Sequence, residues 1–392
     1  MDDIINATFT YGNDTVVAAV HFVTPRLLQT SQWVEHKVAL ALIVFGLPAI
    51  ILLGTLGNAL SFAVLTRTRM CRTSLYFYLC ALACADTSVL YLSSFKTWIR
   101  AVSGFELLHT SNVGCKTVMF LFLVGLHMSA WMIVLLTADR FVAVWFPFKM
   151  ATVCTLRRAH VATAMALAVA LLYNAHVFWT FRLQVFTSGT RRVYQCSPRP
   201  LDYFMHRVFP YMKLVTYAIL PFTFVLVFNL AIIYRVTRNS LPHSNGGDHG
   251  RYDTPTTERH GQGRITYMLL TVSFMWLALT VPFTVWTFAN PRPTDSHSRA
   301  KAFLVKTICF LLMYTNHGIN FYIYCITGRK FRRELRELCC AGRKSNRRTT
   351  SNRLSSLKSS RLTKLLQVQS EKPNNVKAGT LPLDTFPLNA RL

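Results

Sequence analysis

Seven stretches of this sequence are each long and apolar enough to cross a bilayer, and nothing else in it constrains the fold as strongly. A helix needs about 20 mostly apolar residues to traverse the hydrocarbon core, where an unpaired backbone polar group costs several kcal/mol. The qualifying segments are 38–65, 75–98, 117–138, 159–181, 214–234, 265–291 and 307–328. Strands explain them poorly, because barrel spans are about half this length and alternate polar with apolar residues. Only 15% of the chain is charged, against about a quarter in water-soluble domains. That argues against a soluble enzyme, and the chain offers no metal-ligand cluster or nucleophile–base set. No catalytic role and no cofactor are expected. The expected fold is an all-α membrane protein, a seven-helix bundle over 38–327.

Basic residues set the orientation. Arg67, Arg69 and Arg72 follow the first span, and Lys149, Arg157 and Arg158 follow the third. Arg235, Arg238, Arg251, Arg259 and Arg264 surround the connector after the fifth. The tail from Arg329 onward is strongly basic, whereas residues 1–37 carry more acid than base. The N-terminus is therefore expected outside a plasma-membrane protein and the C-terminus in the cytoplasm. Met1-Asp2-Asp3 is acidic where a cleavable signal would be basic, so the first span is expected to serve as an uncleaved anchor. Nucleic-acid binding is not expected, since the charge is spread over connectors. Attraction to anionic lipid accounts for the basic tail. It does not account for Arg182, Arg191, Arg192, Arg199 and Arg207 in the external connector between spans four and five.

Asn6-Ala7-Thr8 and Asn13-Asp14-Thr15 match the glycan acceptor pattern, both in the terminus expected outside. Cys115 and Cys196 are the two cysteines on the oxidising side, so a disulfide is the default. Residues 328–340 form an amphipathic run expected to be a short eighth helix. Cys339 and Cys340 at its end are candidates for palmitoylation. The connector 239–263 and the Ser/Thr-rich basic tail 341–392 have little to bury and are expected to be flexible.

Ionisable groups inside a span are expensive and default to functional roles. Asp86 sits mid-span, and Asp139-Arg140 closes the inner end of span three. Together with Gly57-Asn58, Leu82-Ala83-Cys84-Ala85-Asp86, Thr137-Ala138-Asp139-Arg140-Phe141, Pro221, Pro282 and Asn316-His317-Gly318-Ile319-Asn320-Phe321-Tyr322-Ile323-Tyr324, the pattern resembles the rhodopsin-like (class A) G-protein-coupled receptors. The last span and its continuation are most similar to invertebrate neuropeptide receptors. The resemblance implies a receptor coupled to a heterotrimeric G-protein, with arrestin and receptor kinases acting at the tail. Activation would run through Asp139, Arg140, Pro221, Trp276, Pro282, Asn320 and Tyr324. Asp86, Ser129, Asn316 and Asn320 match positions that hold a sodium ion. The chain departs from the family in Asp139-Arg140-Phe141, in the missing proline after Asn320, and in Thr280, which stands where a tryptophan precedes Pro282.

The position of the aminergic aspartate is Phe122 and that of the retinal lysine is Tyr314, so the resemblance implies neither an amine nor retinal as ligand. Lys96 and Arg100 lie four residues apart and share a helix face. Lys213 and Lys306 match positions facing the ligand cavity, and Arg182 stands just above span four. These cations imply an anionic ligand group, with Phe122, Phe283, Thr287, Phe310 and Tyr314 completing the cavity. The expectation is a receptor for a short neuropeptide bearing an acidic residue or free carboxylate, like the achatin-type peptides. The alternatives are an anionic lipid or carboxylic-acid metabolite as ligand and, remotely, a transporter or channel, which the lack of an internal repeat disfavours.

Overall fold

The computed structural model describes residues 8–11, 14–17, 32–67, 73–103, 111–188, 191–199, 202–240, 256–289, 291 and 293–338. The chain divides into two units, Met1–Glu334 and Leu335–Leu392. Of the second, residues 335–338 are described and are helical.

All seven expected spans are helices: Val34–Arg67, Ser74–Ser103, Asn112–Trp145, Leu156–Thr180, Phe204–Arg238, Thr266–Ala289 and Ser296–Thr327. Several run past their apolar cores because polar residues cap them. The Ser111 side chain accepts from Gly114 N at 2.9 Å, Thr155 from Arg158 N at 3.4 Å, and Asp295 from Ser298 N at 2.7 Å. Each satisfies a backbone donor that the first helical turn leaves orphaned. The carboxyl of Asp295, outside the membrane, is held below its ordinary range, chiefly by that backbone N–H. The third span is the hub of the bundle, packed against the second, fourth, fifth and sixth.

The helices Leu220–Ser240 and Thr256–Ala289 reach into the connector 239–263 from both sides. Adding residues to an already nucleated helix is cheap even where they are polar. Two short hairpins accompany the seven helices among the described residues. β1 (Thr8–Tyr11) pairs antiparallel with β2 (Asp14–Val17). The connector between spans four and five folds as a second hairpin, β3 (Phe181–Ser188) with β4 (Arg191–Pro198), in which Leu183 faces Cys196. Cys196 is bonded to Cys115 at the start of the third span, and Asn112 Oδ1 accepts from Leu183 N at 3.1 Å. The hairpin is therefore fastened to the third span twice.

The first and seventh spans touch through glycine. A Cβ on Gly318 would stand 3.0 Å from Gly54 Cα, and one on Gly57 would stand 3.0 Å from Phe321 Cβ. Where the surroundings are as apolar as the helices, small residues let backbones approach and gain dispersion contact. Beyond the seventh span, residues 329–334 are helical. Arg332 donates to Cys325 O (2.8 Å) and Ile326 O (2.7 Å), satisfying carbonyls at the end of that span. Asn6, Asn13, Cys339 and Cys340, with the tail 341–392, lie outside the described residues.

Candidate functional site

At the centre of the bundle stands Asp86, fully buried. Its Oδ1 accepts from Ser129 Oγ at 2.6 Å and faces His317 Nδ1 at 2.7 Å, while Oδ2 accepts from Asn320 Nδ2 at 2.8 Å. Asn58 Nδ2 donates to His317 O at 3.0 Å and so ties the first span to this cluster. Ser129 and Asn320 thus meet Asp86 as expected. Asn316 is buried but, among the described residues, is not a hydrogen-bond partner of this carboxylate. Its place is taken by His317, a residue whose role the sequence pattern did not disclose. A sodium ion needs oxygen lone pairs turned toward it. Here the carboxylate is met by a hydroxyl, an imidazole nitrogen and an amide N–H, so the residues present do not fit the ion.

Toward the hairpin end, a wide helical turn over Leu90–Phe95 precedes Lys96 and Arg100 and re-aims them relative to Asp86. Such turns recur at functional positions. Lys306 lies within electrostatic range of Arg100 and 5.8 Å from the Phe310 ring centre, a cation–π contact. Phe310 in turn touches Phe283 (4.6 Å between centroids) and stacks on Tyr314 (5.7 Å). The Tyr314 hydroxyl is anchored to Ser93 Oγ at 2.7 Å. Spans two, six and seven therefore bring Arg100, Lys306, Phe283, Phe310 and Tyr314 together. Lys213 is on the other side, in electrostatic range of His127 on span three. His127 also faces Thr216 Oγ1 (3.4 Å) and Asn174 Nδ2 (3.4 Å). Phe122 packs on the apolar cluster of Leu123, Val177, Phe181, Met205 and Phe209 beneath the hairpin. Arg182 is on β3, and Thr287 is exposed on the sixth span, its hydroxyl donating to Phe283 O. Glu35, Asp202 and Asp295 are acidic residues of this half that stand at helix starts.

At the opposite end, Arg140 Nη2 pairs with Asp139 Oδ2 at 2.7 Å. Asp139 Oδ1 accepts from Ser74 Oγ at 2.6 Å, and Ser74 also reaches Cys154 O at 3.2 Å. Burial, then the nearby Asp139 charge, pushes the Cys154 thiol up to about 11. Tyr324 is buried with its ring 5.6 Å from Phe331. Thr137 Oγ1 meets Ser273 Oγ at 3.2 Å, linking spans three and six. Trp276, fully buried, packs edge-on to Phe222 at 4.8 Å, one residue after Pro221. Thr280 is buried nearer the hairpin end, and Pro282 lies within the sixth helix. One feature the sequence reading missed is Phe148, which is 97% exposed on the short helix Pro147–Val153 that follows the Arg140 helix. A Pro-Phe dipeptide seven and eight residues beyond Arg140 is too common a pattern to have singled it out.

Comparison with known proteins agrees with this geometry. Residues 57–324 match the model of the 7 transmembrane receptor (rhodopsin family). An FMRFamide peptide receptor of Caenorhabditis elegans is 27% identical over 311 residues, 74% of this chain and 68% of the relative. The thyrotropin-releasing hormone receptor of Ovis aries is 26% identical over 333 residues, 80% of either chain. The FMRFamide receptor of Drosophila melanogaster is 25% identical over 292 residues, 72% of this chain and 50% of the relative.

Proposed function

Because the chain belongs to the rhodopsin family of seven-transmembrane receptors, a receptor class and not an enzyme class, we propose that it is a neuropeptide receptor. Its ligand is a short peptide carrying an acidic residue or a free carboxylate, and it passes the signal to a heterotrimeric G-protein. The observation that carries this reading is that Arg100 and Lys306 lie within electrostatic range of each other, with Lys306 over the Phe310 ring and Phe310 against Phe283 and Tyr314. Two like charges within range of each other are stabilised by an anion between them, and the three rings would receive apolar side chains. The hairpin end faces outward and the Asp139–Arg140 end faces the cytoplasm. There Arg140, held by Asp139 at rest, is released on opening toward Tyr324 and the G-protein, with Phe148 as an apolar contact. Such a switch operates only through differential affinity of agonist and G-protein for the two states. Arrestin and receptor kinases act at the basic tail, which also lies against membrane lipid. Glycans at Asn6 and Asn13 and acyl chains at Cys339 and Cys340 belong to the same reading.

A second reading has its own support. The worm and fly relatives are named for an amidated peptide, and an amide end would present no charge to Arg100 and Lys306. The test is a panel of short peptides in matched free-acid and amide forms, applied to cells expressing the receptor, with calcium and cyclic AMP as readouts. Acid forms should be the more potent. Arg100→Ala and Lys306→Ala should each lower their potency about tenfold or more, as expected of charge-assisted hydrogen bonds of about 1.5–3 kcal/mol. Unchanged potency in Lys96→Ala, Arg100→Ala and Lys306→Ala together would remove the anionic ligand and leave the amidated one.

A further inference from the structure

The buried carboxylate at the heart of the bundle already has a partner where the family pattern implies a metal ion. His317 Nδ1 lies 2.7 Å from Asp86 Oδ1, both side chains shielded from solvent. At that distance one hydrogen must lie between them, carried by the imidazole toward a carboxylate or by the carboxyl toward the imidazole. Ser129 Oγ, which donates to the same oxygen, also stands 3.3 Å from His317 Nδ1. Asn320 donates to the other oxygen. A cation at Asp86 would have to displace the imidazole from Oδ1 and turn the Ser129 hydroxyl and the Asn320 amide around to offer oxygen. The main chain behind the ring is held as well, since the His317 carbonyl accepts from Asn58 Nδ2 at 3.0 Å. The next residue, Gly318, lies against Gly54, and a Cβ there would stand 3.0 Å from the Gly54 Cα. Span seven therefore has little freedom to slide and carry the imidazole away.

We propose that His317 has replaced the monovalent cation of this cavity, so that the receptor is indifferent to sodium. The Asp86 carboxyl is met by a side chain of the seventh span instead of by an ion drawn from solution. This holds whatever ligand the outer cavity takes, and its test uses no ligand.

The purified full-length receptor is heated in sodium chloride and in N-methylglucamine chloride at equal ionic strength, and the unfolding midpoints are compared. A bound ion would raise the midpoint in a saturable, sodium-specific manner. The unaltered receptor should unfold at the same temperature in both salts. His317→Ser and His317→Ala each vacate Oδ1. In whichever of them folds, sodium should raise the midpoint by several degrees, and adding Asp86→Asn should abolish that rise. A sodium-specific rise in the unaltered receptor that Asp86→Asn removes overturns the proposal. So does the absence of any sodium response in folded His317→Ser and His317→Ala. If neither variant folds, the unaltered receptor decides alone.

Discussion

Asp139 illustrates how much one side chain organises. It receives Ser74 and Arg140, and it raises the Cys154 thiol together with the burial that is the larger cause. A thiol near 11 is almost entirely protonated at neutral pH, and only the thiolate reacts with alkylating reagents. Cys154 should therefore be alkylated by iodoacetamide about two orders of magnitude more slowly than an ordinary cysteine with a pKa of about 8.5. Its rate should still climb tenfold per pH unit between about pH 8 and pH 10. Asp139→Asn removes the negative charge that disfavours the thiolate, which lowers the thiol pKa and should speed modification at every pH in that range. Peptide mass spectrometry after timed labelling reads this directly, and a rate that levels off below about pH 9 contradicts the assignment. Asp86 makes the complementary point. Its importance was legible in the sequence because a lone acid in an apolar span is costly, but the identity of its partner was not. The register of the seventh span relative to the second decides whether Asn316 or His317 meets it.

Helices in this bundle were legible because twenty apolar residues in succession leave a chain few alternatives. Their ends were not, because polar residues beyond the core extend a helix or stop it according to local capping. Connector 239–263 reads as a flexible stretch in composition, yet helix enters it from both sides. The contact between spans one and seven was equally hidden, since a glycine carries no pattern of its own. It rests on Gly54 and Gly318, where a Cβ on one would sit 3.0 Å from the Cα of the other. Gly318→Val should therefore push the two spans apart, at a cost of about 1–3 kcal/mol as in other overpacked interiors. Gly318→Ala should cost less. The measurement is thermal unfolding of the purified receptor, and a midpoint unchanged in Gly318→Val would show that the spans are free to separate.

Across the molecule, the hairpin β3–β4 and its disulfide join parts of the chain that are far apart in sequence. Cys115 and Cys196 are separated by 81 residues, and closing a loop of that length removes up to about 4.5 kcal/mol of entropy from the unfolded state by the chain-entropy model. Replacing both cysteines by alanine should lower the unfolding midpoint. It should also weaken peptide binding, because the hairpin packs through Phe181 on the cluster that includes Phe122. Unfolding curves and agonist competition on the same preparation separate the two effects, and a double variant equal to the native receptor in both would dismiss the hairpin as a structural element of the site. By itself the sequence determined the membrane spans, the buried carboxylate, the Asp139–Arg140 pair and the pairing of Cys115 with Cys196. Each of these follows from the cost of placing a given group in hydrocarbon or in an oxidising compartment, which is a property of composition and position along the chain. Tertiary structure alone decided that His317 faces Asp86, that Arg100 lies in electrostatic range of Lys306 and Lys213 in that of His127, and that the connector between spans four and five becomes a hairpin. Those outcomes depend on how helices rotate and slide against one another, and that is settled by packing between residues far apart in the chain.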